Sequence, residues 1–132
     1  MTSRFIEVVV DCRDPEALAG FWCEVLGFEV IERLPPDRVE IGSWEPTEEA
    51  VRERQMPPTM LFFRVPEGKS VKNRLHVDVC PVDRSRDEEV ERLLRLGASR
   101  VDVGQGEASW VVLADPEGNE FCVCRSLAPN PG

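Results

Sequence analysis

One histidine and no tyrosine occur in this 132-residue chain, so its catalytic inventory is short. His76 is the single side chain whose ordinary pKa suits acid–base work near neutral pH. It sits in the run Asn73-Arg74-Leu75-His76-Val77-Asp78, and on an extended strand Arg74, His76 and Asp78 share one face. Three polar side chains on an inward face are costly to bury unless they bond one another or a ligand. Two readings stay open. Arg74 clamps a substrate carboxylate while Asp78 orients His76 as acid or base, or the three form a structural network.

Five cysteines, Cys12, Cys23, Cys80, Cys122 and Cys124, make an odd number without paired-Cys zinc spacing. Cys122 and Cys124 fall on one face of a strand, too poorly aimed at each other for an ordinary disulfide. Most are expected to be reduced, buried thiols acting as small apolar residues. Cys12 has only Arg13 as a basic neighbour and reads as inert. Trp44, Phe62, Phe63 and Trp110 could line a pocket for a flat organic ligand, whereas Trp22, on an apolar helix face, reads as core.

These residues need elements to position them. Phe5 to Val10 and Leu75 to Val79 read as strands rich in β-branched residues. After the first, Asp14 caps and Pro15 opens a helix that stops at Gly27. After the second, Ser85-Arg86-Asp87-Glu88 makes a capping box for a helix that stops at Gly97. Strands are expected at Phe28–Glu32, Arg38–Ile41 and Thr59–Val65, and again at Arg100–Val103, Ser109–Leu113 and Glu120–Arg125. Asp115-Pro116-Glu117-Gly118-Asn119 is a strong turn signal between the last two. The chain therefore reads βαβββ twice. Glu7 and His76 are 69 positions apart, as are Asp14 and Asp83, which marks an internal repeat. The modules span about 4–65 and 74–125 of one α+β domain, with 66–73 as linker; Trp44 to Pro58 is a candidate lid.

The composition bounds the partners. With 16 Lys+Arg against 25 Asp+Glu the net charge is −9, which argues against nucleic acid and against an anionic membrane surface. No apolar run reaches the roughly 18 residues of a membrane span, and the first residues lack a signal-peptide shape, so a cytoplasmic protein is expected.

The strings VVVDCRDPEALAGFWCEVLGFEV, KNRLHVDV and WVVLADPEGNEFCV resemble the glyoxalase/bleomycin-resistance/dioxygenase superfamily, also called vicinal oxygen chelate. The likeness runs from about Phe5 to Arg125. RLHVDV and its KNR lead-in look most like the glyoxalase-like subgroup common in actinomycete bacteria. The resemblance implies two βαβββ modules whose curved mixed sheets form a cup around a ligand cavity, and a homodimer. Metal-dependent members carry four inward ligands, usually His, Glu or Gln, His and Glu. Carried over by register, Glu7 takes the first position and His76 the third. Phe62 and Phe63 fall near the second, and Cys122 stands where the family has its last Glu, with Glu120 two residues earlier.

Glu7, His76 and Cys122 are competent zinc ligands by type, but a thiolate breaks the hard-ion pattern. The expectation is a binder of a small, partly aromatic molecule held between the modules, without the usual catalytic metal. Arg74, Asp78, Trp44, Phe62, Phe63 and Trp110 are the candidate ligand contacts. The alternative is a lyase, isomerase or dioxygenase using His76 and Glu7 as acid–base groups or as ligands to zinc, iron or nickel.

Overall fold

The computed structural model describes residues 2–101 and 110–129. The chain forms two compact units, Met1–Gly68 and Lys69–Gly132. The first runs β1 (Glu7–Cys12), α1 (Pro15–Leu26), β2 (Glu29–Leu34), β3 (Arg38–Gly42), α2 (Glu48–Glu53) and β4 (Thr59–Arg64). The second runs β5 (Val77–Val79), α3 (Arg86–Leu96), β6 (Ser99–Arg100), β7 (Val111–Ala114) and β8 (Glu120–Val123). Each holds a four-stranded mixed sheet, ordered β1-β4-β3-β2 in one and β5-β8-β7-β6 in the other. The first and last strands of each unit pair in parallel. The expected α+β architecture of two βαβββ modules is thus present. Of the expected strands, Asp102, Val103 and Ser109 lie outside the described residues.

Local chemistry sets the helix ends. The Asp14 carboxylate accepts the Ala17 amide at 3.2 Å, and Pro15 occupies the first helical turn, where its missing N–H costs nothing. Ser85 and Glu88 bond reciprocally as the capping box of α3. The cap is therefore Ser85, two residues beyond Asp83, which instead pairs with Arg84 at the surface; the offset of 69 does not extend to the helix caps. Gly27 and Gly97 close the two helices with φ of 68° and 119°, in the left-handed region where a side chain would be strained.

Alternate residues of each strand stand on opposite faces of its sheet, and β8 is buried along its whole length. In the first unit Leu18, Phe21 and Trp22 of α1 are buried, as are Val39, Ile41, Met60 and Phe62 of the sheet. In the second, Val90 and Leu93 of α3 are buried, as are Leu113, Phe121 and Val123. Trp22 is core as expected, packed edge-on to Phe21 with ring centroids 5.3 Å apart. Lys69 and Asn73 are tied to Glu120 on β8, so the end of the 66–73 segment is built into the second unit.

Candidate functional site

Each unit carries a concave site built from described residues. The first, about 340 Å³, is lined by Phe5, Glu7, Glu40, Trp44, Met56 and Thr59 among others. The parallel register sets Glu7 beside Thr59, and the Thr59 hydroxyl donates to Glu40 at 2.6 Å. Sequence reasoning missed Glu40, which looks like any exposed acid on an alternating strand. Trp44 does face this cavity, but its indole N–H donates to the Pro57 carbonyl at 2.9 Å. Its ring is thus fixed within the Trp44–Pro58 segment, which also contains α2 and whose amide end is held by the Thr47 cap.

The second cavity, about 450 Å³, is lined by His76, Asp78, Trp110, Val112, Glu120 and Cys122, with Lys72, Asn73 and Cys124 nearby. Three elements build it. The parallel pairing of β5 with β8 places Asp78 directly opposite Cys122, and β7 brings Val112 opposite Cys122 from the other side. The Asp115–Asn119 turn sets where β8 begins. The buried Asp115 carboxylate accepts the amides of Glu117 and Asn119 at 3.0 and 2.9 Å and the Asn119 side chain at 3.1 Å. The turn motif therefore acts by fixing the register of Glu120 and Cys122.

Within this cavity His76 Nε2 lies 3.1 Å from an Asp78 oxygen. Donor atoms of His76, Asp78 and Cys122 all lie within 4.8 Å of one another. Burial raises the Cys122 pKa, and the facing Asp78 carboxylate, which also accepts its thiol hydrogen, raises it further. Burial and Asp78 likewise raise Cys124, and the neighbouring Cys80 adds to the effect. One carboxylate thus gathers an imidazole and two thiols. Burial alone would raise Glu120, but the Lys69 ammonium at 2.8 Å and the Asn73 amide outweigh it and hold its pKa below the usual carboxylate value. With its oxygens so engaged, Glu120 is a structural anchor for the 69–73 segment.

The expected site residues divide as follows. His76, Asp78, Cys122 and Trp110 come together in the second unit. Glu7 and Trp44 share the cavity of the first. Arg74 departs from the expectation. β5 begins only at Val77, residues 74 and 75 form a bend, and Arg74 is exposed and outside the cavity lining. The strand alternation that was to align it with His76 and Asp78 does not reach it, and the observed network is His76–Asp78–thiol. Phe62 is fully buried in the core of the first unit and is not in the lining of that unit's cavity of about 340 Å³. Phe63 is half-buried, with the Arg38 guanidinium 5.9 Å from its ring centroid.

The family model for the glyoxalase-like domain matches residues 7–124. The chain belongs to the glyoxalase-like domain family. Solved structures agree on the fold. A glyoxalase/bleomycin resistance protein/dioxygenase family enzyme from Burkholderia phytofirmans PsJN aligns with TM-score 0.63 at 21% identity, covering 92% of this chain and 97% of its own. A fosfomycin resistance protein from Listeria monocytogenes, solved with Mn(II) and dihydroxypropylphosphonic acid, aligns with TM-score 0.61 at 12% identity, covering 98% and 93%. Lactoylglutathione lyase from Agrobacterium tumefaciens aligns at 0.52 with 18% identity, covering 89% and 90%. The comparison with curated proteins gave no match. No described helix is long and apolar enough to cross a membrane.

Relatives with this fold thus include a Mn(II)-bound protein, which makes the donor chemistry of the second cavity decisive. His76, Asp78 and Cys122 offer imidazole, carboxylate and thiol. That set suits a zinc-class ion and not a hard ion such as Mn(II), which prefers oxygen donors. Binding would require Cys122 to lose its proton, against the effect of burial and Asp78.

Proposed function

We propose that this glyoxalase-like protein binds a small, partly aromatic organic molecule in the second-unit cavity. The observation that supports this most is the convergence of His76, Asp78 and Cys122 beside Trp110 and Val112 in one concavity of about 450 Å³. That size falls in the range of small-ligand sites, which pair an apolar lining with a few fixed polar groups. Trp110, 42% exposed, offers a ring face for stacking. His76, oriented by Asp78, offers a hydrogen-bonding and proton-transferring group to the ligand's polar end. Lys72 supplies a cation at the rim.

A panel of aromatic acids and phenols, screened by thermal shift, tests this reading. Compounds that bind should raise the melting temperature in the native protein and lose that effect in Trp110→Ala and His76→Ala. A response retained in both variants would overturn it.

The donor cluster favours a second reading, in which a zinc-class ion bound by His76, Asp78 and Cys122 polarises the oxygen of a substrate. Titration with zinc, followed by calorimetry, decides between them. One equivalent bound tightly by the native protein and weakly by His76→Ala would favour the metal reading. By family resemblance the protein is also proposed to be a homodimer, checked by light scattering.

A further inference from the structure

Cys124 lines the second-unit cavity, and the fold sets beside it Cys80, which that cavity does not use. The parallel ladder of β5 and β8 ends with Val79 paired to Val123, so Cys80 and Cys124 are the first residues beyond it, one after each strand. Backbone bonds bracket the pair. The Cys124 amide donates to the Val79 carbonyl at 2.8 Å, and the Leu127 amide donates to Pro81 at 2.8 Å. Neighbouring strands run about 4.8 Å apart, inside the Cα separation of roughly 4.4–6.8 Å that a disulfide spans. Cys80 stands near enough to the Cys124 thiol to help raise its pKa. Cys80 is exposed, whereas Cys124 is half-buried in the cavity wall. One sulfur is open to a reagent, and the other is positioned to resolve the product.

We propose that Cys80 and Cys124 form an oxidation-sensitive dithiol that a peroxide closes to an intrachain disulfide. The Cys80 sulfur attacks one peroxide oxygen, the O–O bond breaks, and a sulfenic acid forms with release of water or an alcohol. The Cys124 sulfur then attacks the Cys80 sulfur. The S–S bond forms, the S–O bond breaks, and the hydroxyl leaves as water with the proton from Cys124. Two electrons pass from the two thiols to one peroxide. The product removes the thiol hydrogen that Cys124 gives to Asp78 and stiffens one wall of the second-unit cavity. Oxidation state would therefore alter the carboxylate that orients His76.

The pairing can be tested without any ligand, so its failure is distinct from failure of the proposed binding function. The reduced full chain is treated with hydrogen peroxide, blocked with an alkylating reagent, digested without reductant and mapped by mass spectrometry. The expected result is a peptide cross-link joining Cys80 to Cys124, with two of the five thiols lost and all recovered on reduction. Cys80→Ser, at an exposed position, should abolish the cross-link, and Cys12→Ser should leave it in place. Cys80 recovered as sulfinic or sulfonic acid with Cys124 still alkylated would overturn the proposal. So would pairing of Cys124 with Cys122, cross-links only between chains, or an unreacted pair under conditions in which Cys80 alkylates.

Discussion

The two units share strand order, parallel first-to-last pairing and a helix closed by Leu-Gly, yet their open faces carry opposite chemistry. In the first, acids meet a hydroxyl and an aromatic loop: Glu7 lies beside Thr59, Thr59 bonds Glu40, and Trp44 is tied to Pro57. In the second, one carboxylate gathers an imidazole and two thiols. The backbone repeat specifies where inward side chains stand, and only the residue types at those positions decide which half presents reactive donors.

The sharpest way to break this comparison is in the cores, where the units should behave alike. Phe62 and Phe121 are almost wholly buried on the final strands of their sheets. Phe62→Ala and Phe121→Ala should each cost about 3–5 kcal/mol in denaturant unfolding. A loss below about 1 kcal/mol in either would show that the two buried faces are not equivalent.

Polar anchoring should differ between the units. Glu120→Gln removes the charge that holds Lys69 and Asn73 and should cost about 2 kcal/mol. Thr59→Val, which keeps shape but loses the bond to Glu40, should cost about 1 kcal/mol. The Glu120 effect carries a pH signature. Its folded pKa lies below the ordinary carboxylate value, so its contribution is present above the unfolded pKa. It is lost as pH falls through the folded one. Unfolding midpoints followed from neutral to acid pH should converge for the native protein and Glu120→Gln. A constant gap would remove the Lys69 pairing as the cause.

Within the second unit, Asp78→Asn and Arg74→Ala separate the observed network from the one the strand pattern suggested. Any zinc affinity should fall at least tenfold, about 1.4 kcal/mol, in Asp78→Asn and stay within twofold in Arg74→Ala. Equal losses would return Arg74 to the site. The smallest effect is expected at the exposed Arg33–Glu16 pair, 2.7 Å apart with both side chains more than half exposed. Glu16→Ala should change stability by no more than about 0.5 kcal/mol in the same unfolding assay.

Much of the fold was legible because its signals are local. Asp14-Pro15, the Ser85–Glu88 box, the two Leu-Gly stops and the Asp115–Asn119 turn each act through bonds within a few residues, and all appear as expected. His76, Asp78, Cys122 and Trp110 could be nominated because they lie on or beside strands with a readable period. Arg74 stands apart from His76 and Asp78 because β5 starts three residues after it, a boundary that alternation alone does not fix. Phe62 and Phe63 are adjacent aromatics in the sequence, but the period of two places one in the core and leaves the other half-buried. Lys69 with Glu120 and Cys80 with Cys124 were out of reach, since each depends on a pairing across more than forty residues.

Ligand binding in the second-unit cavity is read out by amide and indole NMR of the labelled protein titrated with an aromatic acid that raises its melting temperature. Saturable shifts are expected at the Trp110 indole and at Val112, Asp78 and Cys122, and they should be lost in His76→Ala. Shifts at Trp44, Glu40 and Thr59 with Trp110 unmoved would contradict binding in that cavity.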